Sequence, residues 1–352
     1  MSHFIQDPFK PIINAMPIIE KFASFIRHIP QESKERILKL FYHQQKKRIS
    51  LRKLGTKKHK GFVIDRETVV DGLTNRMKTA LKENYHHPSC VSIRKFLTEK
   101  LDANIEYRNT IKHISDNDKY NKVKCHFRTR NAMTHGSKVH MEIYKSALYI
   151  LKKADILKGK KSPIRFSIDA CTKSCLEALY KSELVPISSE WPVFTENGTG
   201  CATAIDLICI DAKQGANYEL CVIELKTGNM KKALTYTERD IGITKISLAM
   251  LQCSLGLSIG RKCYGLDYFN DSEFKRNAVV FVRPWGAMII YLPRVIYETS
   301  IINNFLELML MREQGSLRSN LPNSENVSSV LTTKNTVRKT QKKYRIGYNN
   351  VK

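Results

Sequence analysis

Apolar residues recur at helical spacing up to about residue 181, and beyond it they gather into short continuous runs. In the first 130 residues the stripes are short. Residues 18–29 are amphipathic and stop at Pro30, and Ser33 opens a second pattern through Ile37, Leu38, Leu40 and Phe41. Residues 68–85 place Val69, Val70, Leu73, Met77, Ala80 and Leu81 on one stripe, Pro88 and Ser89 begin another, and a further helix is expected near 105–114. Residues 1–130 are therefore expected to form a helical N-terminal region, a platform or a helix-turn-helix-like module.

Residues 133–153, with Val139, Ile143, Leu148 and Ile150, and residues 166–181 predict two longer helices. Three strand-length runs follow at 184–194, 202–210 and 219–226. A helix over 240–257, two strands at 278–282 and 287–292, and a closing helix at 295–311 complete the pattern. That order predicts an α/β core over residues 131–312, a mixed central sheet flanked by helices. Residues 313–352 are polar and basic, with too little apolar content to fold.

Charge changes the picture first. The 352 residues carry 59 Lys and Arg against 33 Asp and Glu, a net charge of +26. Residues 46–60 hold eight basic residues and no acid, and residues 327–352 hold seven and no acid. Removing those 15 charges leaves the other 311 residues at +11. A body this basic attracts a polyanion, and phosphate contacts from Lys46, Lys47, Arg48, Arg52 and Lys53 are the expected use of the first segment. The longest stretch without charge, 246–260, is 15 residues, too short to span a membrane as a helix. Nine scattered cysteines, several inside apolar runs, fit a reducing intracellular compartment better than a disulfide framework. The N-terminus shows no targeting pattern; residues 338–345 would serve as a nuclear address or a DNA arm, and a mitochondrial location stays open.

The candidate chemistry lies in two apolar runs, 204–210 and 220–225, separated by the polar loop 211–219 with Gly215 and Asn217. This is a hairpin of two strands apolar on both faces, hence central in a sheet. Acids are scarce in such strands, yet Asp206 sits within the first and Glu224 near the end of the second, followed by Lys226. Alternation puts Glu224 and Lys226 on one face about 7 Å apart, and Asp206 on the neighbouring strand, about 5 Å away, reaches Glu224 if both point the same way. Two carboxylates that close repel unless a cation joins them, and a hard, oxygen-seeking ion such as Mg²⁺ or Mn²⁺ suits the pair. The Lys226 ammonium then stands where negative charge develops on an anionic substrate.

The ending Val222-Ile223-Glu224-Leu225-Lys226-Thr227-Gly228 after an acidic strand resembles the PD-(D/E)xK nuclease superfamily, specifically its RecB-type exonuclease branch. Gly136-Ser137-Lys138-Val139-His140 is similar to the Gly-x-x-x-His helix of that branch and stands in the expected order, and Gln252 matches its helical glutamine. The nearest relatives would be the lambda-type and mitochondrial genome maintenance exonucleases, over about residues 131–311. The resemblance implies a restriction-endonuclease-like core and Mg²⁺- or Mn²⁺-dependent hydrolysis of DNA in replication, repair or recombination. It implies metal binding by Asp206, Glu224, the Leu225 carbonyl and His140, with His140 alternatively orienting the scissile phosphate. It further implies positioning of the attacking water by Lys226, backbone contact or support of Lys226 by Gln252, and water-mediated support of the metal by Glu190. Lys245, seven residues before Gln252, would line the same groove. The residues depart from the pattern at Thr203-Ala204-Ile205, where Gly-x-x-Asp is usual, and in the longer spacer to Glu224. A nuclease-like core that binds without cutting and a restriction-type endonuclease are the alternatives.

Overall fold

The computed structural model describes residues 13–55, 60–64, 68–100, 105, 108–109, 112, 129–158, 163–195, 200–213, 218–227, 237–238, 241–264, 276–284, 286–292 and 299–311. After the two-residue strand β1 (Ile13–Asn14), helix α1 (Met16–Arg27) takes Pro17 in its first turn, where no backbone N–H is needed, and buries Ile19, Phe22, Ala23 and Ile26. Helix α2 (Gln31–Ser50) follows. Three strands come next, β2 (Leu51–Gly55), β3 (Lys60–Ile64) and β4 (Thr68–Gly72), joined as an antiparallel meander. Helix α3 (Leu73–Glu83) buries Leu73, Met77, Ala80 and Leu81. Helix α4 (Pro88–Lys95) is capped by His87, whose ring accepts the Ser89 N–H, and runs into a π-helical turn at Phe96–Lys100.

The expectation of an all-helical N-terminal region is corrected here. Thr68, Val69 and Val70 belong to β4, not to the helix expected over 68–85, which starts at Leu73. Val69 and Val70 fall on the helical stripe of Leu73 and Met77, but they are β-branched and pair with β3, a contact that local spacing does not report. Most of the helix expected near 105–114, and the tail 313–352, lie outside the described residues.

The core opens with α5 (Thr129–Lys153), the short strand β5 (Ser167–Ile168) and α6 (Ala170–Lys181). The central strands β6 (Leu184–Phe194), β7 (Cys201–Asp211) and β8 (Leu220–Lys226) follow, in agreement with the sequence expectation. Then come β9 (Thr237–Glu238), β10 (Ile243–Thr244), α7 (Lys245–Tyr264), β11 (Ala278–Arg283), β12 (Gly286–Tyr291) and α8 (Thr299–Met311). The result is an α/β fold. Its five core strands run β12-β11-β8-β7-β6, with β8 and β11 parallel and the other neighbours antiparallel.

Helices α5 and α7 pack on β6, α7 also on β8 and β11, and α6 on β11 and β12, so β7 and β8 are buried almost throughout. The N-terminal meander lengthens the sheet. Ala202 pairs with Phe194 of β6 on one edge of β7 and with Gly72 of β4 on the other, just past the end of β8. Residues Met1–Leu310 thus group as one compact unit.

Side chains complete the ladder that holds β8. Fully buried Asn277 accepts the Val222 N–H through its Oδ1, one residue before β11 takes over the pairing at Ala278 and Ile223. Beside it, Arg276 donates to Asp211 Oδ1 at 2.5 Å and to the Ser182 carbonyl at 2.6 Å, pinning the hairpin end of β7. Asn277→Ala leaves the buried Val222 N–H without this acceptor, and the expected loss of stability in urea denaturation is about 1–3 kcal/mol.

Candidate metal centre

Strand register brings three acids into one row. The β7–β8 pairing runs through Leu207 with Ile223, and one further step sets Asp206 across from Glu224. On the other side of β7, Ser189 pairs with Leu207 and Trp191 with Ile205, which sets Glu190 beside Asp206. Residues directly opposite in antiparallel strands share a face. Glu190, Asp206 and Glu224 therefore stand side by side on β6, β7 and β8.

A β-bulge makes the row possible. Pro186 pairs with Cys209 and Ser188 with Ile208, so Ile187 is an extra residue in β6. Without it Ser189 would face Asp206, and Glu190 would point from the opposite side of the sheet. Glu190 also has φ +53°, left-handed backbone that costs a glutamate on the order of 1 kcal/mol or more. Ser189 braces this point by donating its hydroxyl to the Asp206 carbonyl at 2.6 Å.

Helix α5 delivers the histidine. Val139 and Ile143 are buried and seat the helix, which turns His140 toward the row. Gly136 lies one turn earlier, where a Cβ would stand 3.2 Å from Thr227 Oγ1. The missing side chain thus lets α5 approach the segment after Lys226 closely. His140 Nδ1 is 2.7 Å from Glu190 Oε1 and 3.6 Å from Asp206 Oδ1.

The remaining contacts divide the acids between partners. Lys226 Nζ donates to Glu224 Oε1 at 2.5 Å, and the Leu225 N–H donates to Asp206 Oδ2 at 2.8 Å. Burial pushes the Asp206 carboxyl up to about 7, with the nearby Glu224 charge adding to it and His140 and Lys226 opposing. Burial would lower His140, but the Glu190 hydrogen bond and the charges of Asp206, Glu190 and Glu224 raise it to about 9. Burial likewise works against the Lys226 ammonium, while Glu224 and Asp206 hold it protonated and its pKa rises.

One ligand atom each from His140, Glu190 and Asp206 lies within 4.8 Å of the others, a group that could hold a metal ion. The donor set fits the group it would serve. The buried oxygen of Asp206 and the exposed one of Glu190, with an imidazole beside them, suit a divalent cation reached from solvent.

Of the residues expected from sequence, Asp206, Glu224, Lys226 and His140 are brought together. Leu225, whose carbonyl is the expected metal ligand, also donates its N–H to Asp206. Gln252 is half-buried on α7, and among the described residues no hydrogen bond joins it to these four. Lys245 is the exposed first residue of α7. Lys46 is exposed on α2, and Lys47 lies 5.1 Å over the Phe194 ring at the end of β6. The side chains of Arg48, Arg52 and Lys53 lie outside the described residues. Glu190, expected from sequence to support a metal through a water, hydrogen-bonds to His140, a placement that depends on the bulge. No family model, curated protein or solved structure matches the chain.

An Asp206 carboxyl raised from 3.8 to about 7 means that the fold disfavours the ionised form. Its contribution to stability therefore falls as pH rises from the unfolded value through about 7. Without divalent ions, Asp206→Asn is expected to raise the melting temperature at pH 8 and to raise it less at pH 5. Mg²⁺ is expected to stabilise the wild type and not the variant. Thermal melts at the two pH values, with and without Mg²⁺, check both outcomes.

Proposed function

We propose that this chain is a metal-dependent deoxyribonuclease of PD-(D/E)xK type, an exonuclease that hydrolyses phosphodiester bonds at DNA ends with Mg²⁺ or Mn²⁺. The observation that carries the reading is the convergence of His140 on the Glu190–Asp206–Glu224 row, with Lys226 at its edge. This set combines acids to hold a divalent ion with cations to meet a phosphate. The restriction-endonuclease-like core is part of the same reading, supported by the mixed sheet with its acids at the end of the central hairpin.

Asp206, Glu190 and His140 would hold the ion, with Glu224 completing the oxygen set. A bound Mg²⁺ supplies an activated water and draws charge from the phosphate oxygens. Lys226 stays an ammonium at neutral pH because Glu224 and Asp206 favour its charged form. It therefore positions and stabilises developing charge on phosphorus and does not serve as the base. His140 is split between two roles. Neutral, it is a ligand; protonated through its bond to Glu190, it is a donor facing the phosphate.

The substrate grip would come from the basic body, which stays at +11 without its two densest segments. The N-terminal meander joins β7 just past the end of β8, so the strand region that follows Lys46 and Lys47 is continuous with the site-bearing sheet. DNA laid across the acid row would meet that extension.

Digestion of end-labelled linear DNA beside closed circular DNA tests the proposal. Wild type is expected to degrade linear DNA with Mg²⁺ or Mn²⁺ and to spare circles. Asp206→Ala, Glu224→Ala and Lys226→Ala are each expected to lose about 100-fold or more of the rate while keeping DNA binding. Equal cutting of circles would select the endonuclease alternative. A wild type that binds DNA but leaves every substrate intact with either ion would select the non-cleaving alternative and overturn the proposal.

A further inference from the structure

Helix α5 presents a second group of donors five residues before His140, outside the acid row. His135 Nε2 lies 3.4 Å from Cys171 Sγ, and His135 Nδ1 lies 3.7 Å from Asp169 Oδ2. One ligand atom from each residue falls within 4.8 Å of the other two. The Asp169 side chain is 2% exposed and Cys171 is equally buried, so the group is an interior feature of the α5–α6 junction.

The geometry around it is fixed independently of any ion. Asp169 caps α6, its Oδ1 accepting the Cys171 N–H at 2.7 Å, which leaves Oδ2 turned toward His135. Glu142, on α5 beyond His140, accepts the Asp169 N–H at 2.9 Å and the Thr172 hydroxyl at 2.6 Å. These bonds hold the start of α6 against α5. Lys138 is 3.5 Å from Asp169 Oδ2 and 3.7 Å from Glu142, on a side chain 55% exposed that can swing into solvent.

We propose that His135, Asp169 and Cys171 form a second metal site, chemically distinct from the acid row, that takes Zn²⁺ or a similar borderline ion. The donors are one imidazole nitrogen, one carboxylate oxygen and one sulfur. Mg²⁺ and Mn²⁺ prefer oxygen, whereas Zn²⁺ accepts all three. Around a tetrahedral Zn²⁺, a nitrogen and a sulfur ligand stand about 3.5 Å apart, close to the 3.4 Å found between His135 and Cys171. A thiolate and a carboxylate cancel the charge of the ion, which makes burial affordable, and Lys138 then balances Glu142. Water takes the fourth position, reached past His135. The ion ties α5 to the start of α6 and so steadies the helix that carries Gly136 and His140. This inference does not depend on the nuclease reading.

Full-length protein stripped with a chelator and titrated with Co²⁺ tests it. The expected result is a sulfur-to-cobalt charge-transfer absorption that saturates with one Co²⁺ at this site, separate from any Co²⁺ held by the acid row, and that Zn²⁺ displaces. Cys171→Ser should abolish the absorption, and His135→Asn should weaken binding by more than about 100-fold. Asp206→Asn should leave both the absorption and the affinity unchanged, because Asp206 belongs to the other site. Wild-type protein without the absorption, or an absorption that survives in folded Cys171→Ser protein, overturns the proposal. Circular dichroism melts establish that the variants are folded.

Discussion

Two buried carboxylates, Asp206 and Glu224, repel one another across adjacent strands with the half-exposed Glu190 beside them, and the centre of this fold is arranged around that repulsion. Asp206 is the focus. Its carboxyl is raised toward neutrality, and burial is the first cause. Glu224 is answered by Lys226 and Glu190 by His140, while Asp206 accepts the Leu225 N–H and shares His140 at the longer distance of 3.6 Å. Among the described residues, His140, Glu190 and Asp206 form a group that could hold a metal ion, and a divalent cation would relieve the repulsion between the acids.

The cost of holding the row is visible elsewhere. Ile187 is inserted into β6, Glu190 adopts left-handed backbone, and Ser189 spends its hydroxyl on the Asp206 carbonyl. Asn277 and Arg276 anchor two of the three acid-bearing strands, β8 at Val222 and β7 at Asp211. A strained and repelling centre thus sits in a sheet held by buried side-chain hydrogen bonds away from it.

Much of the core and part of the site were legible in the chain. The strands β7 and β8 are separated by a polar loop, and a two-residue period puts Glu224 and Lys226 on one face, whereas Asp206 joins them only through the register of the pair. His140 was reached through Gly136, and the reason is physical: the glycine sits where a Cβ would crowd Thr227. Glu190 was harder to place because a bulge leaves no signature in residue type; shifting β6 by one residue reverses which side chains meet Asp206. The N-terminal strands were hidden for a related reason. Val69 and Val70 obey a helical stripe locally, and only pairing with β3 decides the outcome. The group at His135, Asp169 and Cys171 depends on how α5 packs against α6, a contact that no spacing along the chain encodes.

Anomalous diffraction from crystals equilibrated with Mn²⁺ probes the central claim most directly. The account places an ordered Mn²⁺ about 2.0–2.5 Å from a carboxylate oxygen of Asp206, with Glu190 or Glu224 and His140 in its coordination shell. Mn²⁺ ordered elsewhere on the molecule, with the Asp206 carboxylate bare at saturating concentration, contradicts it.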